Sequence, residues 1–267
     1  MQSKTGWAVL ATLALITATL LSGVGLTAAS LSTPTGHPGA GPFEGVTKYT
    51  SLNWAGYFAE NTSPTINDTV TKVAGTWVQP SVNCGNDKTA IVVIWVGIDG
   101  AVSSTVEQTG SFAQCVKGTA SYSLWWELYP KNSVQLISTI TVHPGDTITG
   151  SVTFSSATGK FTMTVADGSK SFSKTGTQPG TERSSAECIV ERPGGASTSN
   201  GLYSLADFGV ATFSSCTATI AGHSGGIGSF PQVGAITMLG NNEVKVIAKT
   251  SGLTSQTDFS VTWKGYH

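Results

Sequence analysis

Ile91-Val-Val-Ile-Trp-Val-Gly-Ile-Asp-Gly100, Val106-Glu-Gln-Thr-Gly110 and Ser121-Tyr-Ser-Leu-Trp-Trp-Glu-Leu-Tyr-Pro130 are the segments from which the fold of this chain is read. On a strand, successive side chains point to opposite faces. Trp95 and Asp99 then share one face, with Val96 and Ile98 on the other. Trp125, Glu127 and Tyr129 likewise oppose Leu124, Trp126 and Leu128, and Gln108 lies on the segment between. One face of each strand is plainly apolar. The other gathers aromatic, acid and amide groups, which an ordinary solvent face seldom does. It reads as a binding surface.

Outward from this centre, strand-like runs recur with turn residues between them. Before it come Asn53-Trp-Ala-Gly-Tyr-Phe and Val70–Val78, and the centre itself is Thr89–Ile98, Ser104–Thr109 and Ser121–Tyr129. Gln135–His143, Thr147–Ser155, Lys160–Ala166, Lys170–Lys174 and Ala186–Glu191 follow. Ala206–Ser214, Val233–Leu239, Val244–Lys249 and Thr257–Trp263 complete the series. No segment sustains a 3.6-residue apolar period. About 14 strands are too many for one open sheet, so the expected fold is all-β, an antiparallel sandwich of two large sheets.

The formal net charge is −1 and only 11% of residues are charged. No basic field points to nucleic acid. Residues 1–29 read as a signal peptide: Lys4 precedes an apolar run from Trp7 to Leu26, and Thr27-Ala28-Ala29 offers a cleavage site. A secreted protein is therefore expected, with an N-terminal membrane anchor as the alternative. Residues 30–50, rich in Ser, Thr, Pro and Gly, read as a linker or short propeptide, and 51–267 as a single domain. Asn61-Thr-Ser and Asn67-Asp-Thr match glycosylation sequons.

Cys84, Cys115, Cys188 and Cys216 all fall in the exported part, where an even count favours disulfides over metal ligands. Of the three possible pairings, the sequence-local one is expected, Cys84–Cys115 and Cys188–Cys216.

In Ala186-Glu-Cys-Ile-Val-Glu191, alternation puts Glu187, Ile189 and Glu191 on one face, opposite Cys188 and Val190. Taken alone, the two acids are a pair of solvated glutamates, and Gln108 is a polar strand residue. Gly222-His-Ser-Gly-Gly226 fits the pattern of a hydrolase nucleophile elbow. That elbow needs a strand before the serine and a helix after it, whereas Ile227-Gly-Ser-Phe-Pro follows here. A flexible glycine loop is the expectation. His37, His143 and His267 fall in a linker, at a turn and at the terminus, and no metal motif is present.

Asn53-Trp-Ala-Gly, Trp95-Val-Gly-Ile-Asp-Gly, Gln108-Thr-Gly, Trp125-Trp-Glu-Leu-Tyr-Pro and Ala186-Glu-Cys-Ile-Val-Glu191 stand in the order and rough spacing of the glutamic peptidases, the eqolisins. The chain resembles that family from about Ser51 to its end. The resemblance implies a concanavalin A-like (lectin-like) sandwich with a curved, concave sheet. It implies Glu191 and Gln108 as the catalytic pair of an acid-acting endopeptidase, working at roughly pH 2–5. Trp54, Trp95, Trp125 and Tyr129 would wall the cleft, and Asp99, Glu127 and Glu187 would stand beside the pair. The chain departs from the family after Gln108-Thr-Gly, where an acidic residue is usual and Ser111-Phe-Ala-Gln-Cys stands instead. The expected protein is a monomer without cofactor or metal, acting on protein or peptide substrates, with no nucleic-acid or membrane partner after signal removal. A carbohydrate-binding sandwich remains the alternative, because sugar platforms combine aromatics with the same acids and amides.

Overall fold

The computed structural model describes residues 45–60, 70–85, 89–194 and 201–267. The expected signal peptide, most of the linker and both sequons lie outside these residues.

Strands alone carry the architecture. In chain order they are β1 (Val46–Ser51), β2 (Trp54–Glu60), β3 (Val70–Val78), β4 (Ala90–Ile98), β5 (Val106–Val116) and β6 (Thr119–Tyr129). Next come β7 (Asn132–Ile137), β8 (Thr147–Ser155), β9 (Lys160–Asp167), β10 (Lys170–Gly176), β11 (Ser185–Glu191) and β12 (Ser204–Leu205). The last are β13 (Val210–Ile220), β14 (His223–Gly226), β15 (Gln232–Leu239), β16 (Val246–Thr250) and β17 (Phe259–Trp263). A 3₁₀ turn at Ile227–Ser229 is the one helical element among the described residues.

Pairing resolves them into two layers, as expected. The front layer runs β1-β15-β2-β11-β4-β5-β6-β7. The back layer runs β10-β9-β8-β3-β13, with β17 and β14 on the far side of β13. β16 pairs with both β15 and β17, so hydrogen bonding passes from one layer to the other without a break. Pairing is antiparallel except at β1–β15 and β12–β4.

Period-2 alternation sorts the front layer's side chains. Ala55, Tyr57, Val92, Ile94, Val96, Leu124, Cys188 and Val190 enter the core and meet Val73, Trp77, Val152, Met163 and Phe213 from the back. The alternate residues Trp54, Phe58, Val93, Trp95, Phe112, Trp125 and Ile189 form a second apolar cluster on the other face. Both disulfides form as expected. Cys84–Cys115 ties the approach to β4 to the end of β5, and Cys188–Cys216 joins β11 to β13 across the core.

Four expectations need correction. The stretch read as linker ends before position 50: Val46–Ser51 pairs with β15, and Tyr49 packs its ring on Phe58 at 5.2 Å. β5 continues past Thr109 because Gly110 is structural rather than a breaker. A Cβ there would collide with the Ile94 carbonyl and lie 2.8 Å from Trp95 Cα. Gln135–His143 leaves the ladder at Ile137, although Ile140 and Val142 stay buried, so alternation there reports burial rather than pairing. The Gly222–Gly226 segment is an ordered hairpin partner of β13, where Ser224 and Thr219 share a hydroxyl hydrogen bond of 2.8 Å.

Candidate active site

Three adjacent strands, β11, β4 and β5, carry the residues of interest, with β6 and β7 continuing the row. Glu191 stands opposite Val93, and Gln108 stands opposite Gly97, four residues further along the same strand. Both belong to the outer face of the front layer, and Trp95 lies between them. Gly97 makes the arrangement possible. A Cβ on it would sit 2.7 Å from the Trp95 ring and 3.3 Å from Gln108 Cβ. With hydrogen there instead, the indole lies along the sheet.

Trp95 donates its Nε1–H to Glu191 Oε2 at 2.8 Å, and Asn53 reaches Glu191 Oε1 at 3.4 Å. Asn53 is itself placed by Ser51, whose Oγ donates to Asn53 Oδ1 at 2.9 Å. Glu191 keeps part of its surface accessible. Burial pushes its carboxyl up to about 7, against the pull of the Trp95, Trp54 and Asn53 donors. It is thus an oriented carboxyl at the edge of water, readily protonated and deprotonated in the acid-to-neutral range.

The structure brings Gln108 to Glu127. The two are cross-strand partners, and Gln108 Nε2 donates to Glu127 Oε2 at 2.8 Å. Burial, then the charge of Glu191, raises Glu127 to about 8; the bonds from Gln108 and the Val134 N–H act the other way. Tyr129, on the same face, remains half-buried.

Two expected cleft residues are elsewhere. The backbone at Asp99 turns to φ 69°, which breaks the strand alternation that had put it beside Trp95. Its carboxylate instead accepts from the backbone N–H groups of Glu182, Arg183 and Ser184 and from the hydroxyls of Thr105, Thr181 and Ser184. Asp99 is a clamp between two loops. Glu187 is fully buried against the same group, with the Ala101 backbone over it. Neither presents surface to a substrate. Burial, with Asp99 and Glu107 close by, holds Glu187 well above the usual carboxylate range.

The aromatic wall is also a floor. Trp54 and Trp95 pack edge to face at 5.0 Å, and Trp54, Trp95 and Trp125 are 6%, 0% and 2% exposed. The Trp125 Nε1–H is spent on the Ser111 carbonyl. Phe112, in the stretch that departs from the family pattern, adds an apolar ring in the row of Glu191.

Sequence reasoning missed one participant, Asn53, and one buried acid, Glu107. Asn53 stands in the sequence only within a motif; it immediately precedes β2, whose first residue, Trp54, pairs with Glu191. Glu107, a buried acid raised to about 9 by burial and Asp99, gave no signal, because alternation placed it simply on the core face. Among the described residues no three His, Cys, Asp or Glu side chains converge to hold a metal.

Comparison with known proteins identifies the family. The chain matches the Peptidase A4 family over residues 52–263. It is 31% identical to Aspergillopepsin-2 of Aspergillus niger over 200 residues, covering 66% of this chain and 67% of that protein. Among solved structures, aspergilloglutamic peptidase from Aspergillus niger matches at 29% identity with a TM-score of 0.55, over 66% of this chain and 99% of that one. Scytalido-glutamic peptidase bound to a transition-state analogue inhibitor shares the fold at a TM-score of 0.65 and 24% identity, over 80% of this chain and 98% of that one. A family match over most of the chain places this protein in the Peptidase A4 (eqolisin) family as a glutamic endopeptidase.

Proposed function

We propose that Glu191 is the general base and acid of this peptidase and that Gln108 stabilises the tetrahedral intermediate, in an enzyme exported by its N-terminal segment and active in acid. The observation that carries the reading is Glu191 itself, the glutamate of β11 that keeps access to water while Trp95 and Asn53 fix its carboxyl.

In the reaction, Glu191 takes a proton from a water whose oxygen attacks the scissile carbonyl carbon. The carbonyl oxygen becomes an oxyanion, to which Gln108 donates N–H without itself titrating. The intermediate collapses by breaking the C–N bond, and Glu191 returns the proton to the leaving amine. A group with this double duty works best near its own pKa. The maximum should therefore lie below neutrality, between the ordinary glutamate value of about 4.3 and the raised value of about 7 for Glu191. That overlaps only the top of the pH 2–5 range expected from the sequence and extends above it.

One observation favours a second base. Glu187 stands opposite Gly97, in the same cross-strand row as Gln108, whereas Glu191 lies four residues away along β4. Complete burial argues against Glu187, since the base must meet a water. The carbohydrate alternative loses support for a similar reason: the indoles are packed under one another and offer no open face for a sugar. Digestion of a denatured protein across pH 2–8, with and without pepstatin, tests the reading. Acid-limited cleavage insensitive to pepstatin is expected. A maximum at pH 7–8, or loss of cleavage on chelation, would overturn it.

A further inference from the structure

Gln108 reaches its position through a partner built for holding it. Glu127 lies directly across from Gln108 on β6 and is 4% exposed, against 7% for Gln108 itself. On the other side of Glu127 the ladder is irregular. Trp126 pairs with Gln135 and Leu128 with Asn132, so Ser133 and Val134 face Glu127 alone. A bulge of this kind re-aims backbone groups and is frequent beside active sites. Here it sets two residues of β7, rather than one, beside the Glu127 position. Glu127 thus meets an irregular stretch of β7 on one side and holds Gln108 of β5 on the other.

We propose that Glu127 is a positioning residue that fixes the Gln108 carboxamide, leaving its second Nε2–H to donate to the developing oxyanion. The proposal rests on the dyad reading above. Glu127 does this as the neutral acid. The groups facing it are Gln108 from β5, the Val134 N–H from β7 and, as the charged one, Glu191 from β11. Burial and the Glu191 charge both favour its proton. An ionised Glu127 would draw the Gln108 donors to itself and set a negative charge where the oxyanion forms, which opposes the transition state. The alkaline limit of activity then belongs to Glu127 and not to the base.

Removing the acceptor should act on turnover, because a free carboxamide still fits the site but no longer points. Glu127→Ala is expected to lower kcat about a hundredfold with KM within about threefold. Glu127→Gln keeps an acceptor of the same shape that never ionises. It should fold with an unchanged melting temperature in acid and recover most of the lost turnover. Its alkaline limb should move up by about one pH unit or more.

An inactive Glu127→Gln, an unmoved alkaline limb, or a Glu127→Ala defect confined to KM would each overturn the positioning role. Gln108→Ala separates the two claims. If it turns over like wild type, the dyad reading fails and the proposal with it. If it is inactive while Glu127→Ala is not, the dyad stands and the positioning role alone is wrong.

Discussion

The indole N–H of Trp95 donates to Glu191 across the gap between two neighbouring strands, at 2.8 Å. This bond favours the ionised carboxyl and so lowers a pKa that burial raises. Trp95→Phe keeps the ring in its place over Gly97 and removes only the donor. Glu191 should then hold its proton to higher pH, and the acid limb of kcat should move upward by about half a unit to one unit, with kcat down about tenfold. A pH–rate profile checks this, and an unmoved or lowered acid limb would contradict it.

Glu191→Gln and Gln108→Ala should each abolish proteolysis in a folded protein, by about a hundredfold or more. Glu187→Gln is the informative companion. Buried away from water, it should leave turnover within a few-fold of wild type. An inactive Glu187→Gln beside an active Glu191→Gln would move the base to Glu187.

Asp99, Glu107 and Glu187 form a buried acid group whose effect is on stability. The pKa values of Glu107 and Glu187 are raised in the folded state, Glu107 to about 9, so folding favours their neutral forms. Their contribution is intact below the unfolded value of about 4.3 and declines as pH rises toward the folded value, by about 1.4 kcal/mol per pH unit for each acid. The melting temperature should fall from pH 5 to pH 8, and Glu107→Gln should flatten that slope. A melting temperature that climbs over this range would count against the cluster.

Cys188 and Cys216 close a separation of 28 residues between the two layers, and Cys84 and Cys115 one of 31. Each bond is worth about 3–4 kcal/mol in the chain-entropy model. Paired replacement by Ala should lower denaturant midpoints accordingly, whichever bridge is removed. A change under about 1 kcal/mol would show that the denatured chain is already restrained.

Ser224→Ala should leave activity untouched. Its hydroxyl is engaged with Thr219 on an exposed hairpin, with no helix of the required length behind it. An inactive variant would revive a serine mechanism.

Much of this was legible in the residues because strands advertise their faces. Alternation correctly separated Cys188 and Val190 from Glu187 and Glu191, and Trp126 from Trp125, before any pairing was known. What alternation could not convey is where it stops. Asp99 lies one residue past the end of β4, and a single left-handed φ carries its carboxylate into a loop 82 positions on at Thr181. Nor does face tell depth: Glu187 and Glu191 share a face, yet a loop covers one and leaves the other wet. Glu107 stayed hidden because an acid pointing inward has no pattern of its own.

Gln108 and Glu191 sit on the two strands hydrogen-bonded to either side of β4, with no loop between them. Their spacing is therefore ruled by backbone ladders, and it survives as long as those ladders do. Enzymes whose reacting groups ride on loops often lose activity before the fold itself melts. In this one, heat inactivation should coincide with the loss of β structure, and the active protein should tolerate nicks and insertions in its connecting turns.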